Sequence, residues 1–220
     1  MTTHRSSIAA HIQAAGLVAI IRAPHADGLI PTCRALAAGG IKVAEITLNS
    51  PGALPAIAAI RAESAPDFLI GAGTVLDAPS ARDALDAGAQ FIVAPTFNPA
   101  VLAAAHDRDK PVLPGAFTPT EILAAWQAGA DFVKVFPANH FGPDYLREVL
   151  APLPDIKLLP TGGVNLQTLS AWFTAGAACL GVGTSLVNRD LVARKDWQAL
   201  TDLANQYTQA AAIARHHASS

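Results

Sequence analysis

Four segments of the chain share one order of apolar and polar positions: LAAGGIKVAEI from Leu36, LDAGAQFIVAP from Leu85, WQAGADFVKVF from Trp126 and FTAGAACLGVG from Phe173. Each reads as the last turn of a helix, an Ala-Gly stop, a short turn and an apolar strand. The glycines Gly39, Gly88, Gly129 and Gly176 lie 49, 41 and 47 residues apart, which is room for two strand–helix units per repeat. The runs LVAIIR, FLIGAGT, KPVLPG and IKLLPTGG supply the intervening strands. Helix starts are equally regular. Ser50-Pro51, Asn98-Pro99 and Thr118-Pro119 each place a capping residue before a proline at the first helical position, and Asp27 and Asn165 are further candidate caps.

Eight strands alternating with helices, with no linker or break in composition, predict an α/β fold, a (β/α)8 TIM barrel in a single domain over residues 1–220. Residues 1–15 read as an N-terminal helix. Residues 188–220 read as a polar linker and a helical extension. An open doubly wound sheet fits less well, because GAGTVL lacks the third glycine and the downstream acid of a dinucleotide fingerprint.

Strand parity then sorts side chains into two faces. In the second strand Ala44, Ile46 and Leu48 face the helices, leaving Val43, Glu45 and Thr47 inward. In the sixth, the inward set is Phe132, Lys134 and Phe136. Two charged residues therefore fall inside one barrel.

Composition narrows the function classes. The chain is 51% hydrophobic and 15% charged with a formal net charge of -2, which gives no basic field for nucleic acid or an anionic membrane. MTTHRSSIAAHIQAAG is polar and helix-like rather than a secretory leader, and every apolar run stops short of the ~18 residues that span a bilayer. Cys33 and Cys179 have no metal or redox spacing and read as reduced packing residues of a cytoplasmic protein. The histidines are scattered; His216 and His217 are adjacent but fall in a tail that reads as frayed. No metal site and no cofactor is expected.

The buried pair has two readings. One is a structural salt bridge between Lys134 and Glu45, although such pairs contribute little net stability over apolar replacements. The other is chemical. A lysine with an ordinary pKa near ~10.4 is neutral in only about one molecule in a few thousand at pH 7, whereas an apolar interior disfavours its charged form. Its neutral amine can attack a ketone to form an imine, with Glu45 as base and acid. Lys42 and Lys157 sit at the opposite ends of their strands, and Lys110 and Lys195 lie in polar stretches. A retro-aldol cleavage of a 2-keto acid uses both groups.

Further candidates cluster at strand carboxyl ends. LLPTGGVN runs into a helix after the seventh strand and LGVGTSL ends the eighth; Thr161, Gly162, Gly163, Gly183 and Thr184, with Ser185, offer amides and hydroxyls to a phosphate or similar anion. The same glycines also suit tight turns alone. Arg22 and Thr74 could hold a carboxylate, or Arg22 could pair with a loop acid. His140 is left outside the catalytic set.

EITLNS, GAGTVL, PGAFTPTE, DFVKVFPA, PTGGV and GVGTSLV, in order between about Gly16 and Val187, resemble the 2-keto-3-deoxy-6-phosphogluconate (KDPG) and 4-hydroxy-2-oxoglutarate (KHG) aldolase family, including its 6-phosphogalactonate relatives. The resemblance implies a metal-independent class I aldolase, a barrel and a homotrimer. It places the Schiff-base lysine on Lys134, the acid/base glutamate on Glu45, the third-strand threonine on Thr74, and the phosphate loops on Gly162, Gly163, Gly183 and Thr184. The implied substrate is a small keto acid with an anionic terminus, phosphate or another group such as a sulfonate. Many phosphogluconate-cleaving members carry arginine four residues after the glutamate. Asn49 stands there in this chain, as in galactonate-type relatives, and Arg22 is then available for the pyruvyl carboxylate. Outside this chemistry stand a carboxylate-driven isomerase or epimerase on a phosphate-binding barrel, and a non-catalytic anion-binding protein.

Overall fold

The structure is a computed structural model that describes residues 4–218. Helix α1 (His4–Ala15) precedes strand β1 (Leu17–Ile21), and a 3-10 turn leads to α2 (Leu29–Ala38). The alternation continues with β2 (Val43–Thr47), α3 (Ala53–Glu63), β3 (Leu69–Gly73), α4 (Ala78–Asp86), β4 (Ile92–Val93) and α5 (Pro99–His106). The fifth predicted strand is present as two short pieces, β5 (Val112–Leu113) and β6 (Gly115–Ala116), followed by α6 (Pro119–Gln127). Then come β7 (Val133–Val135), α7 (Gly142–Leu150), β8 (Leu158–Pro160), α8 (Leu169–Thr174), β9 (Leu180–Val182), α9 (Arg189–Ala193) and α10 (Trp197–Ala218).

All strand pairs are parallel. They form a curled six-stranded sheet in the order β5-β4-β3-β2-β1-β9 and a three-stranded sheet β6-β7-β8. The expected parallel α/β architecture is therefore present, but its hydrogen bonds do not run as one continuous eight-stranded ladder. Two prolines account for the breaks. Pro114 separates β5 from β6, and Pro160, with no N–H to donate, ends β8. The two sheets meet again through an isolated parallel bridge between Thr161 and Gly181.

The core follows this architecture in two parts. Helix-facing residues of the strands, such as Ala44, Ile46, Ile70 and Ile92, pack against the helices in one large cluster. Val18, Val43, Leu69, Phe91, Val93, Leu113, Phe132, Leu159 and Cys179 form a second cluster on the inner face, joined by Ile8, Ala9 and Ile12 of α1. Helix α1 thus covers the end where the strands begin. Arg5 fastens it by donating to the Asp131 carboxylate at 2.8 Å, so the open end of the inner face is the carboxyl end of the strands.

Several local expectations need correction. Asn98 and Thr118 do cap α5 and α6, Thr118 with Glu121 in a capping box. Ser50-Pro51 does not start α3: the N-cap is Gly52 at φ 75°, and the Ser50 hydroxyl is engaged elsewhere. Asp27 lies inside the 3-10 turn and pairs with Lys195. Asn165 caps a turn before α8, accepting from the Gln167 and Thr168 amides, so α8 begins later than PTGGV suggested. In the first repeat it is Gly40, at φ 92°, that takes the left-handed conformation rather than Gly39, matching Gly88, Gly129 and Gly176. His216 and His217 lie within α10, not in a frayed tail. That helix packs on α2 and α8, with Thr201 and Thr208 donating to the Ala35 and Gly39 carbonyls. The linker before it contains α9. Cys33 and Cys179 are buried free thiols, and burial pushes Cys33 up to about 12. No helix among the described residues is long and apolar enough to cross a membrane.

Candidate active site

Strands β2 and β7 project Glu45 and Lys134 toward each other across the inner face. The Glu45 Oε1 to Lys134 Nζ distance is 3.9 Å, with side-chain exposures of 1% and 8%. At that distance the two charges attract but share no hydrogen bond, and neither Glu45 oxygen has a hydrogen-bond partner among the described residues. A buried carboxylate without a partner is costly, and folded proteins rarely retain one for stability. Burial raises the Glu45 carboxyl above its usual range, while the cations of Lys134 and Arg22 oppose that rise without cancelling it. The group is therefore easier to protonate than an exposed glutamate. The Lys134 ammonium sits 5.3 Å from the centre of the Phe136 ring, which is 40% exposed at the mouth.

Glycine on the neighbouring strand makes room for this carboxyl. A Cβ on Gly73 would lie 2.7 Å from the Glu45 carboxyl carbon and Oε1. Gly73→Ala is expected to displace the carboxyl and lower kcat about 10- to 100-fold, with about 1–3 kcal/mol of destabilisation from overpacking. Steady-state assays beside a urea titration check it; unchanged kcat would mean that Glu45 tolerates the shift.

Two residues flank this centre from the adjacent strand ends. Arg22, one residue past β1, donates through Nη2 to Thr74 Oγ1 at 3.4 Å. Thr74 occupies φ 58°, a strained setting for a β-branched residue that costs on the order of 1–3 kcal/mol. Asn49 is exposed and lines, with Arg22, Arg189, Val192 and Trp197, a cavity of about 660 Å³.

The loops after β8 and β9 lie together on the same end. Gly162 and Gly163 have φ 106° and 74°. Their missing side chains let Asn139 approach, since a Cβ on Gly163 would be 2.9 Å from the Asn139 Cβ. The Thr161 hydroxyl is buried without a partner among the described residues and lies where a Cβ on Gly181 would collide at 2.1 Å. The Gly183 carbonyl accepts from the Leu186 and Val187 amides, forming a turn that carries Thr184 at the surface. Ser185 donates to the Val164 carbonyl at 2.6 Å and ties the two loops together.

Parity brought Glu45 and Lys134 together, and adjacency of strand ends brought Arg22 to Thr74. Residue type gave no signal for Asn139, nor for the stack of Phe117, Phe141 and Tyr145 in the loops and helix after β6 and β7. His140 is exposed beside that stack. Among the described residues no three His, Cys, Asp or Glu side chains converge as a metal site.

A family profile described as KDPG and KHG aldolase matches residues 8–203. The chain belongs to that family. It is 37% identical over 194 residues to the 2-dehydro-3-deoxy-phosphogluconate aldolase of Treponema pallidum (strain Nichols), covering 88% of this chain and 92% of the relative. It is 40% identical over 172 residues to the 2-dehydro-3-deoxy-6-phosphogalactonate aldolase of Escherichia coli (strain K12), covering 77% and 83%. A crystal structure of the KDPG aldolase from Legionella pneumophila, with pyruvate captured at low pH as a covalent carbinolamine intermediate, superposes with a TM-score of 0.83. It is 30% identical and covers 90% of this chain and 96% of that one.

Proposed function

We propose that this chain is a class I aldolase cleaving 2-keto-3-deoxy-6-phosphogluconate to pyruvate and glyceraldehyde 3-phosphate. The observation that carries the reading is the buried Glu45 carboxyl 3.9 Å from Lys134 Nζ. The neutral Lys134 amine attacks carbon 2 of the keto acid, and loss of water from the carbinolamine gives an iminium ion. Glu45 takes the proton of the carbon 4 hydroxyl. The bond between carbons 3 and 4 breaks, its electrons pass into the iminium, and the aldehyde leaves. The enamine is protonated at carbon 3, with Glu45 returning the proton, and hydrolysis of the imine releases pyruvate.

Arg22 and Thr74 hold the pyruvyl carboxylate in this proposal, with Asn49 beside them. Thr161, Gly162, Gly163, Gly183 and Thr184 bind the distal phosphate. Asn49 in place of arginine favours a second reading with the same chemistry, cleavage of the carbon 4 epimer 2-keto-3-deoxy-6-phosphogalactonate. A shorter acid such as 4-hydroxy-2-oxoglutarate, or a sulfonated analogue, tests the need for phosphate. The proposal includes one barrel domain that closes at the Pro114 and Thr161–Gly181 junctions, and a cytoplasmic homotrimer; the last two rest on the family alone.

Incubation with pyruvate and borohydride, followed by peptide mapping, tests the mechanism. The expected adduct has the mass of pyruvate less one water plus two hydrogens, on the peptide containing Lys134 and no other. Folded protein without that adduct would overturn the imine.

A further inference from the structure

Arg22 lies outside the β1 ladder, yet the backbone on both sides of it is fastened. The fastening comes from two buried hydroxyls in the turn that ends β2. Thr47 Oγ1 donates to the Ile21 carbonyl at 3.3 Å, and the Ala23 amide donates to Ser50 Oγ at 3.2 Å. The two hydroxyls are 3.0 Å apart. Either hydroxyl can donate in the contact between them. The result is a chain of polar contacts from the Ala23 N–H through Ser50 and Thr47 to the Ile21 C=O, closed around Arg22.

The same turn reaches the other half of the proposed carboxylate grip. The Ser50 amide donates to the Thr47 carbonyl at 2.9 Å and closes the turn; the Leu48 amide donates to the Gly73 carbonyl at 2.8 Å, one residue before the strained Thr74. The turn at residues 47–50 is thus bonded both to the neighbours of Arg22 and to the neighbour of Thr74, and these two side chains meet. A buried polar chain adds little net stability over an apolar replacement of the same shape. Its geometric effect is to fix where the guanidinium and the Thr74 hydroxyl converge.

We propose that Thr47 and Ser50 are positioning residues for recognition of the keto-acid carboxylate, acting through Arg22. This rests on the aldolase reading above. Ser50→Ala and Thr47→Val are each expected to raise the KM for keto acid, and the pyruvate concentration that half-saturates borohydride trapping, about tenfold, while kcat changes less than about threefold. Ser50→Thr and Thr47→Ser, which keep the hydroxyls, restore the wild-type KM. In an Arg22→Ala background, Ser50→Ala should change KM by less than about twofold, because the residue it acts through is gone.

A folded Ser50→Ala protein with wild-type half-saturation overturns the proposal. So does a tenfold rise that persists without Arg22, or a fall in kcat that tracks KM. If Thr47→Val does not fold, the Ser50 pair and the Arg22 cycle carry the test unaided. Absence of a pyruvyl adduct in the wild type overturns the aldolase reading itself; an adduct in the wild type with unaltered variants overturns only the role of the two hydroxyls.

Discussion

Lys134→Met is expected to lower aldol cleavage by at least about 10⁴-fold while leaving the chain folded, a loss of more than about 5 kcal/mol of transition-state stabilisation. The size follows from what the imine supplies. Without it, the electrons of the breaking carbon–carbon bond have no iminium to enter, and the ketone is a far poorer sink. Retention of the fold follows from the surroundings of the side chain. The methylene stem of Lys134 lies in a strand buried along its whole length, and methionine fills that space with an unbranched apolar chain. Removing the ammonium also removes the first of the two cations that oppose the effect of burial on Glu45. The carboxyl then rises further and is more readily neutralised, so the variant is not left with a bare buried anion. Thermal melts, single-turnover cleavage and borohydride trapping are the measurements. A folded variant that cleaves at a near-normal rate would remove the imine from the mechanism.

The catalytic pair was legible in the sequence because strand parity is a strict period of two. Once VAEIT and FVKVF are strands of two parallel sheets that face one interior, Glu45 and Lys134 have one available face, and the inner cluster holds their neighbours Val43 and Phe132 as expected. Parity could not say how far a strand stays inside. Phe136 shares the parity of Lys134 but lies past the end of β7 and emerges at the mouth. Nor could parity see continuity of hydrogen bonding, which depends on Pro114 and Pro160, residues that apolar pattern counts as ordinary core. Capping signals misled at Ser50 for a related reason. A hydroxyl before proline is a cap only if no other acceptor or donor reaches it first, and Ser50 is claimed by Thr47 three residues earlier and by the Ala23 amide, a distant partner invisible to local pattern. Asn98 gives its Nδ2 to the distant Leu76 carbonyl but keeps Oδ1 for the Ala100 amide, and Thr118 pairs with Glu121, so both caps are present. The anion loops were legible as glycine-rich segments at two neighbouring strand ends. Asn139, which packs against Gly162 and Gly163, comes from a third loop that shares no motif with them.

Glu45→Gln is expected to lower kcat at least about 100-fold, within the usual contribution of a positioned general base, and yet to make the folded protein less sensitive to rising pH. Glutamine keeps the shape of the protonated acid but cannot accept the carbon 4 hydroxyl proton. The stability effect has a fixed sign. Burial raises the Glu45 carboxyl above the ordinary value of 4.5, so the native state holds this proton more tightly than the unfolded chain does. Its contribution is complete below about pH 4.5 and is lost as pH rises through the elevated native value. Glutamine has no proton to lose, so the stability difference, variant minus wild type, should climb across that window and level off above it. Most other titrations are common to both proteins and cancel in the difference. The same elevation places the acid limb of wild-type kcat/KM above the ordinary carboxylate range, and Glu45→Gln should abolish that limb in whatever activity remains. Urea titrations and pH–rate profiles of both proteins from about pH 4 to 9 check the two expectations together. A flat stability difference would mean that the carboxyl titrates normally and is hydrated. A retained acid limb would assign the base to another group. Both expected results together would show a carboxylate kept in a buried strand at a cost in stability because the chemistry needs it there.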